Sequence, residues 1–273
     1  MKKIITRAIT GSLYVALIVV SLTLGSPVLY AVVFALFIAL GIWEFNTITS
    51  SKSRHTITEK VLDIIGGLVM FFSFFWKTQL PDTGYEIMIP YLSYLVIRSI
   101  YQLYIKNTDP LSNWAFSLMG QIYIALPISL LNIIYAEYNP HMLLAIFIFI
   151  WLNDTGAYCV GSTLGKHRLL ERISPKKSWE GFWGGILFCI VSAILFYYYC
   201  NDFFNGPGLT GWILLSILVS AFSTYGDLCE SLIKRTLGVK DSGKLLPGHG
   251  GILDRVDSLL LVSPIALCFL LIL

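Results

Sequence analysis

Runs of about 20 apolar residues recur from one end of this chain to the other, which is the length a helix needs to cross a bilayer. Hydrophobic residues make up 56% of the 273 and charged residues only 13%, about half the ~25% typical of a soluble domain. In hydrocarbon every backbone N–H and C=O needs an internal partner, so runs of this length must be helical. The expected fold is an all-α polytopic integral membrane protein with about nine transmembrane helices. They are placed near 8–25, 27–47, 61–79, 86–105, 114–136, 142–162, 181–200, 209–228 and 252–273. The connections are mostly short, so 1–273 reads as one membrane-embedded domain. Within it, 1–140 supplies N-terminal spans, and 141–273 supplies spans flanked by two longer polar loops, 163–180 and 229–251.

The N-terminus has the basic start and apolar run of a signal peptide. With further apolar runs behind it, it reads as an uncleaved first span. Setting it in the cytoplasm places every lysine and arginine except Lys77, of 19 in all, on the cytoplasmic side, Arg98 and Lys106 included. An odd number of spans then leaves the C-terminus outside, and both polar loops share the cytoplasmic face. The expected location is the inner, cytoplasmic membrane of a cell, in multi-pass form. A net charge of +3 gives no reason to expect a nucleic-acid partner. The five cysteines show no C-x-x-C spacing and read as apolar filler.

Charge inside so apolar a chain needs a physical reason. Asp154 follows the apolar run IFIFIWLN, where an ionised carboxylate is costly unless paired or coordinated. It reads either as a site residue or as half of a structural ion pair. Gly161 and Gly165 nearby read as close helix packing. Ser174-Pro175-Lys176-Lys177-Ser178-Trp179-Glu180 follows. That segment is either a cytoplasmic anchor with an interfacial tryptophan, or a phosphate-binding loop of lysines and hydroxyls. Ser178 is also placed to cap the seventh span.

The densest charge lies in SLIKRTLGVKDSGKLLPGHGGILDRVD, Ser231–Asp257, with Asp227 just before it. If the eighth helix continues, Asp227, Ser231 and Lys234 share a face, and Glu230 with Lys234 is an i,i+4 pair. Pro247-Gly248-His249-Gly250-Gly251 is either a turn or a nest of backbone N–H groups for an anion. Asp254 and Asp257 open the last span at i,i+3 spacing, and the turn can carry Asp254 back to Asp227. Carboxylates so gathered repel unless a cation joins them, and hard oxygen donors suit magnesium with substrate phosphates. Lys234, Arg235, Lys240 and Arg255 around them point to a polyanionic substrate, hence to metal-assisted phosphoryl or nucleotidyl transfer. No P-loop motif suggests an ATPase.

These residues resemble a known family. The order S-x-x-K-R, K-D, P-x-H-G-G, D-R-x-D across Ser231–Asp257 looks like the signature of the phosphatidate cytidylyltransferases, and NDTGAYCVGSTLGKH and SPKKSWEG are similar to that family too. The resemblance implies that CTP and phosphatidate give CDP-diacylglycerol and pyrophosphate, at membrane lipids and often in a homodimer. It implies magnesium, alone or with a second cation, at Asp227 and Asp254. With it, the residues expected in the chemistry are Asp227, Lys234, Arg235, Lys240, Asp241, Asp254, Arg255, Asp257 and His249, the last either a hydrogen-bond donor or a capping histidine. Those expected at substrate are Asp154, Ser174, Lys176, Lys177, Ser178, Glu180, Ser231, Gly250 and Gly251. Two alternatives stand beside it: a CTP-dependent polyprenol or dolichol kinase, and a transporter with Asp154, Asp227 and Asp254 along an ion path.

Overall fold

The computed structural model describes residues 2–53, 55–106, 109–243, 245 and 250–273, with side chains from Ile9 onward. The chain is helical almost throughout. Its long helices are α1 (Lys2–Thr23), α2 (Pro27–Thr49), α3 (Ile57–Gln79), α4 (Ile89–Tyr104) and α5 (Pro110–Tyr138). Then follow α6 (Pro140–Leu164), α7 (Trp179–Tyr199), α8 (Gly208–Thr236) and α9 (Leu253–Ile272). Among the described residues seven helices, α2, α3 and α5 to α9, are long and apolar enough to cross a membrane. The protein is thus an all-α polytopic membrane protein. In α1 the apolar described part is Ile9–Thr23. Helix α4 has 16 residues, about 24 Å at 1.5 Å per residue, short of a ~30 Å hydrocarbon layer.

Local chemistry sets the helix ends. Ser26 accepts from Leu29 N–H ahead of Pro27, and Thr56 with Glu59 forms a capping box at α3. Asn139 caps α6 ahead of Pro140. Ser178 accepts from Gly181 N–H at 3.2 Å and so starts α7, as its place in the sequence suggests. Helix α5 widens into a π-turn, Gln121–Ala125, just before Pro127, whose ring would otherwise crowd the preceding turn.

Helix α2 is the hub. Its Phe34, Phe37, Ile38, Ile42 and Phe45 are at most 2% exposed, and it touches α1, α3, α5 and α9. Helices α6 to α9 form the second group, each in contact with its neighbour in sequence. Close approach there needs glycine. A Cβ on Gly161 would lie 3.3 Å from Gly181 Cα, so the pair lets α6 and α7 meet. A Cβ on Gly226 of α8 would lie 2.7 Å from the Asp257 carbonyl oxygen of α9.

The structure corrects one expectation and adds to another. The polar stretch 163–180 is not simply a loop: β1 (Arg168–Leu170) and β2 (Ser174–Ser178) pair antiparallel within it. Arg98, placed with the cytoplasmic-side charges, does more than mark topology. It lies in α4, 0% exposed, and its guanidinium reaches Asp63 (3.0 Å), Ser117 (3.0 Å), Gln102 (2.8 Å), Asn113 (2.9 Å) and Glu59 (3.7 Å). Two buried carboxylates demand a cation, and burial in hydrocarbon demands that its N–H groups be bonded.

Candidate active site

One end of the bundle gathers the site. The hairpin joins α6 to α7, the 237–252 connection joins α8 to α9, and the C-terminal half of α2 reaches the start of α9. Helix α8 does continue past its apolar run to Thr236, so Asp227, Glu230, Ser231 and Lys234 stand on one helix. Ser231 Oγ donates to Asp227 Oδ1 at 3.2 Å. Lys177 of β2 places its ammonium 2.7 Å from Asp227 Oδ2 and also donates to the Thr224 carbonyl at 3.2 Å. The hairpin is thereby tied to α8 through a residue of the SPKKSWEG stretch.

The turn after α8 brings α9 back alongside. Lys234 Nζ sits 2.5 Å from Glu230 Oε2 and 2.5 Å from Asp254 Oδ1, bridging the two helices. Asp254 Oδ2 accepts from Ser242 N–H (3.0 Å) and Gly251 N–H (2.8 Å). Gly250 adopts φ +84°, a conformation glycine holds without strain. Asp257, one turn further, faces Asp227. Carboxylate oxygens of Asp227, Glu230 and Asp257 all lie within 4.8 Å of one another.

Two cavities open on this cluster, and a third meets it from the side. The first, about 550 Å³, runs between α6, the hairpin, α7 and α8, and its wall includes Asp154, Arg168, Lys176, Lys177, Ser178 and Asp227. The second, about 280 Å³, is almost wholly polar, lined by Asp154, Asp227, Lys234, Asp241, Asp254, Arg255 and Asp257. The third, about 230 Å³, lies between α1, α6 and α9, with Tyr14, Val15 and Trp151 at its apolar part and Asp154, Arg255 and Asp257 at its polar part. Asp154 touches all three and enters none of the ion pairs among the described residues.

Other expected site residues stand apart. Arg235 and Lys240 are exposed, and Arg235 donates to the Val239 carbonyl at 3.4 Å. Glu180 accepts from His167 Nδ1 (2.6 Å) and from the N–H groups of Lys166 and His167, so it shapes the start of the hairpin. Ser174 begins β2 and lines none of these cavities. His249 lies outside the described residues.

Three further residues take part. Glu230 reads in sequence as a helix-stabilising partner of Lys234, yet it belongs to the carboxylate cluster. Ser242 binds Asp254 through its N–H and Glu44 through its hydroxyl (3.0 Å). Glu44 itself, on α2, accepts from the N–H groups of Ile252 (3.0 Å) and Leu253 (2.9 Å). Its signal was there: a lone carboxylate in the most apolar of the spanning helices.

Chemically, the arrangement sets an acidic cavity beside a basic one. Carboxylates cannot meet phosphates without a cation between them, whereas Lys176, Lys177 and Arg168 can meet them directly. Residues 5–273 match the model of the cytidylyltransferase family. The chain is 31% identical to the phosphatidate cytidylyltransferase of Haemophilus influenzae over 94% of its own length and 95% of that protein's. It is 43% identical to the phosphatidate cytidylyltransferase of Staphylococcus aureus strain COL, over 64% of this chain and 65% of the relative. With the Staphylococcus haemolyticus enzyme of the same name the identity is 42%, over 64% and 63%.

Proposed function

Since the chain belongs to the cytidylyltransferase family, we propose that it transfers the cytidylyl group of CTP to phosphatidate, giving CDP-diacylglycerol and pyrophosphate. The observation that carries this reading is the position of Asp227, on the wall common to the 550 Å³ and 280 Å³ cavities and paired with Lys177. The larger cavity falls in the roughly 300–1,000 Å³ range of small-molecule sites and takes the nucleotide. The third cavity, apolar at one part and acidic with Arg255 at the other, takes the lipid, its phosphate inward and its chains in hydrocarbon.

In the reaction a phosphatidate oxygen forms a bond to the α-phosphorus of CTP, and the bond from that phosphorus to the bridging oxygen breaks. The pyrophosphate leaves with the electron pair. The attacking phosphate is already an anion, so no side chain need remove a proton. Charge is the difficulty. Lys176 and Lys177 hold the triphosphate oxygens, Lys177 directly beside Asp227. Lys234 fixes Asp254 and Glu230 so that the carboxylates keep their spacing. Arg255 offsets the lipid phosphate.

The donor set fits a hard divalent cation, three carboxylates with oxygens within 4.8 Å. We assign magnesium to Asp227, Glu230 and Asp257, with Asp254 on the same cavity able to serve a second cation. Bound there, magnesium would screen phosphate–phosphate repulsion and stabilise the departing pyrophosphate. Asp254 is placed second because the mutual 4.8 Å spacing joins Asp227, Glu230 and Asp257, while Asp254 bridges to Lys234.

The same reading puts the protein in the inner membrane, with the N-terminus and the site in the cytoplasm, where CTP is found, and a homodimer as the working assembly. Purified protein in lipid with labelled CTP, phosphatidate and magnesium tests the activity. CDP-diacylglycerol and pyrophosphate in equal amounts are expected. Release of CDP with no cytidylylated lipid would identify a kinase instead.

A further inference from the structure

Helix α9 brings both Asp254 and Asp257 to the site, yet its own sequence gives it no cap: the residue before it is Ile252, with no side-chain oxygen to meet the first N–H groups. The oxygens come from Glu44 of α2, more than 200 residues earlier in the chain. Glu44 is 6% exposed, and its carboxylate accepts three hydrogen bonds, from Ile252 N–H, Leu253 N–H and Ser242 Oγ. A negative group at this end of a helix is favoured by the helix dipole as well. Ser242 is held from two sides, its hydroxyl by Glu44 and its N–H by Asp254. The backbone is shaped to this contact: a Cβ on Gly251 would lie 2.2 Å from Glu44 Oε2, and one on Gly243 would lie 2.4 Å from Glu44 Oε1.

The other face of α2 is anchored as well. Asn46, two residues on, donates to buried Asp63 of α3 at 3.0 Å. Glu44 therefore projects from a helix that is fixed in the core, and α9 is registered against that fixed helix. Glu44 adds to the Lys234–Asp254 bridge, to the bonds from Tyr14 to the Arg255 carbonyl and from Ser258 to the Ser223 carbonyl, and to the close approach at Gly226, and of these it alone meets the first N–H groups of α9.

We propose that Glu44 is a positioning residue for the cation. By capping α9 and pinning Ser242 it holds Asp254 and Asp257 at the spacing from Asp227 and Glu230 that metal binding requires. The role rests on the cation assignment made above.

The test uses the full chain in lipid nanodiscs with Mn2+ alone, followed by electron paramagnetic resonance, and hydrogen exchange at the Ile252 and Leu253 amides. Glu44→Gln keeps the shape but turns an N–H₂ toward donors. We expect faster exchange at those two amides and about tenfold weaker Mn2+ binding, the size of a lost helix cap. In turnover the magnesium requirement should rise while the KM for CTP stays within about twofold, since Glu44 does not line the nucleotide cavity. Ser242→Ala should move Mn2+ affinity the same way by about threefold, and it decides the matter if Glu44→Gln does not fold. Faster exchange with unchanged Mn2+ affinity would reduce Glu44 to a structural cap and overturn the proposal. Absence of Mn2+ binding in the unaltered chain would overturn it too. Both readouts are taken without CTP or lipid, so a chain that binds Mn2+ as expected but forms no CDP-diacylglycerol would refute the proposed reaction and leave the role of Glu44 standing.

Discussion

The molecule holds two concentrations of charge within its helices, and they are built on opposite plans. Around Arg98 in the N-terminal half, Glu59, Asp63 and Arg98 are all 0% exposed and their partners lie within the protein: the side chains of Asn46, Tyr94, Gln102, Asn113 and Ser117 and, for Glu59, the Thr56 N–H. None of the cavities at the candidate site is lined by these residues. In the C-terminal half, Asp154, Asp227 and Asp257 face open volume, and carboxylates outnumber the cations that meet them. A closed network turns its charges onto protein partners packed around them and so welds α2, α3, α4 and α5 together. An open one leaves charge for something that arrives. Charge within a membrane is thus not itself a mark of catalysis; what distinguishes the two is whether the charges surround space.

If that distinction holds, damage to the two clusters should look different. Asp227→Asn should give the largest effect, a loss of CDP-diacylglycerol formation by about three orders of magnitude with protein abundance unchanged. Near-normal turnover in purified membranes would remove Asp227 from the site and erase the contrast. Arg98→Met should do the reverse. Stranding Glu59 and Asp63 in the core costs about 3–5 kcal/mol, read as a lower melting temperature and less protein. The surviving molecules should keep their KM for CTP. A change in that KM would mean that the closed network communicates with the site.

Much of the open cluster was legible in sequence because its chemistry is local. Asp227, Ser231 and Lys234 are spaced along one continuous helix, Asp254 and Asp257 lie one turn apart, and Ser178 sits where a helix must start. The closed cluster was not, since Arg98 finds Asp63 and Ser117 only when three helices meet. In one dimension it passes for one more cytoplasmic charge. Glu44 stands out in sequence as a lone carboxylate in an apolar helix, but its partners lie across the whole chain. The hairpin was missed because β1 and β2 span three and five residues, too few for an alternating pattern, and β2 includes a proline.

A middle-sized effect separates the two lysines of the hairpin. Lys177→Ala removes the 2.7 Å partner of Asp227 as well as a phosphate contact, and Lys176→Ala removes only the latter. Both should raise the KM for CTP, by about tenfold and about threefold, with a further fall in turnover for Lys177 alone. Unchanged CTP dependence in both would return the hairpin to a topological anchor.

The smallest effect belongs to the rim of the closed network. His55 precedes α3, 9% exposed, with Nδ1 at 3.2 Å from Asn113 Nδ2. Burial lowers its pKa below the ordinary 6.5, and the nearby charges of Arg98 and Lys60 lower it further, against the opposing pull of Asp63 and Glu59. Since the folded state prefers the neutral ring, the unfolded chain binds the proton more readily. This contribution to stability is therefore complete above about pH 6.5 and is lost as the pH falls through the lowered value. The melting temperature of the full chain should fall by a few degrees between pH 7 and pH 5, and His55→Gln should flatten that slope without altering CTP dependence. A slope that persists in His55→Gln would assign the titration to the carboxylates of the open cluster, and the closed network would then be silent over the physiological pH range.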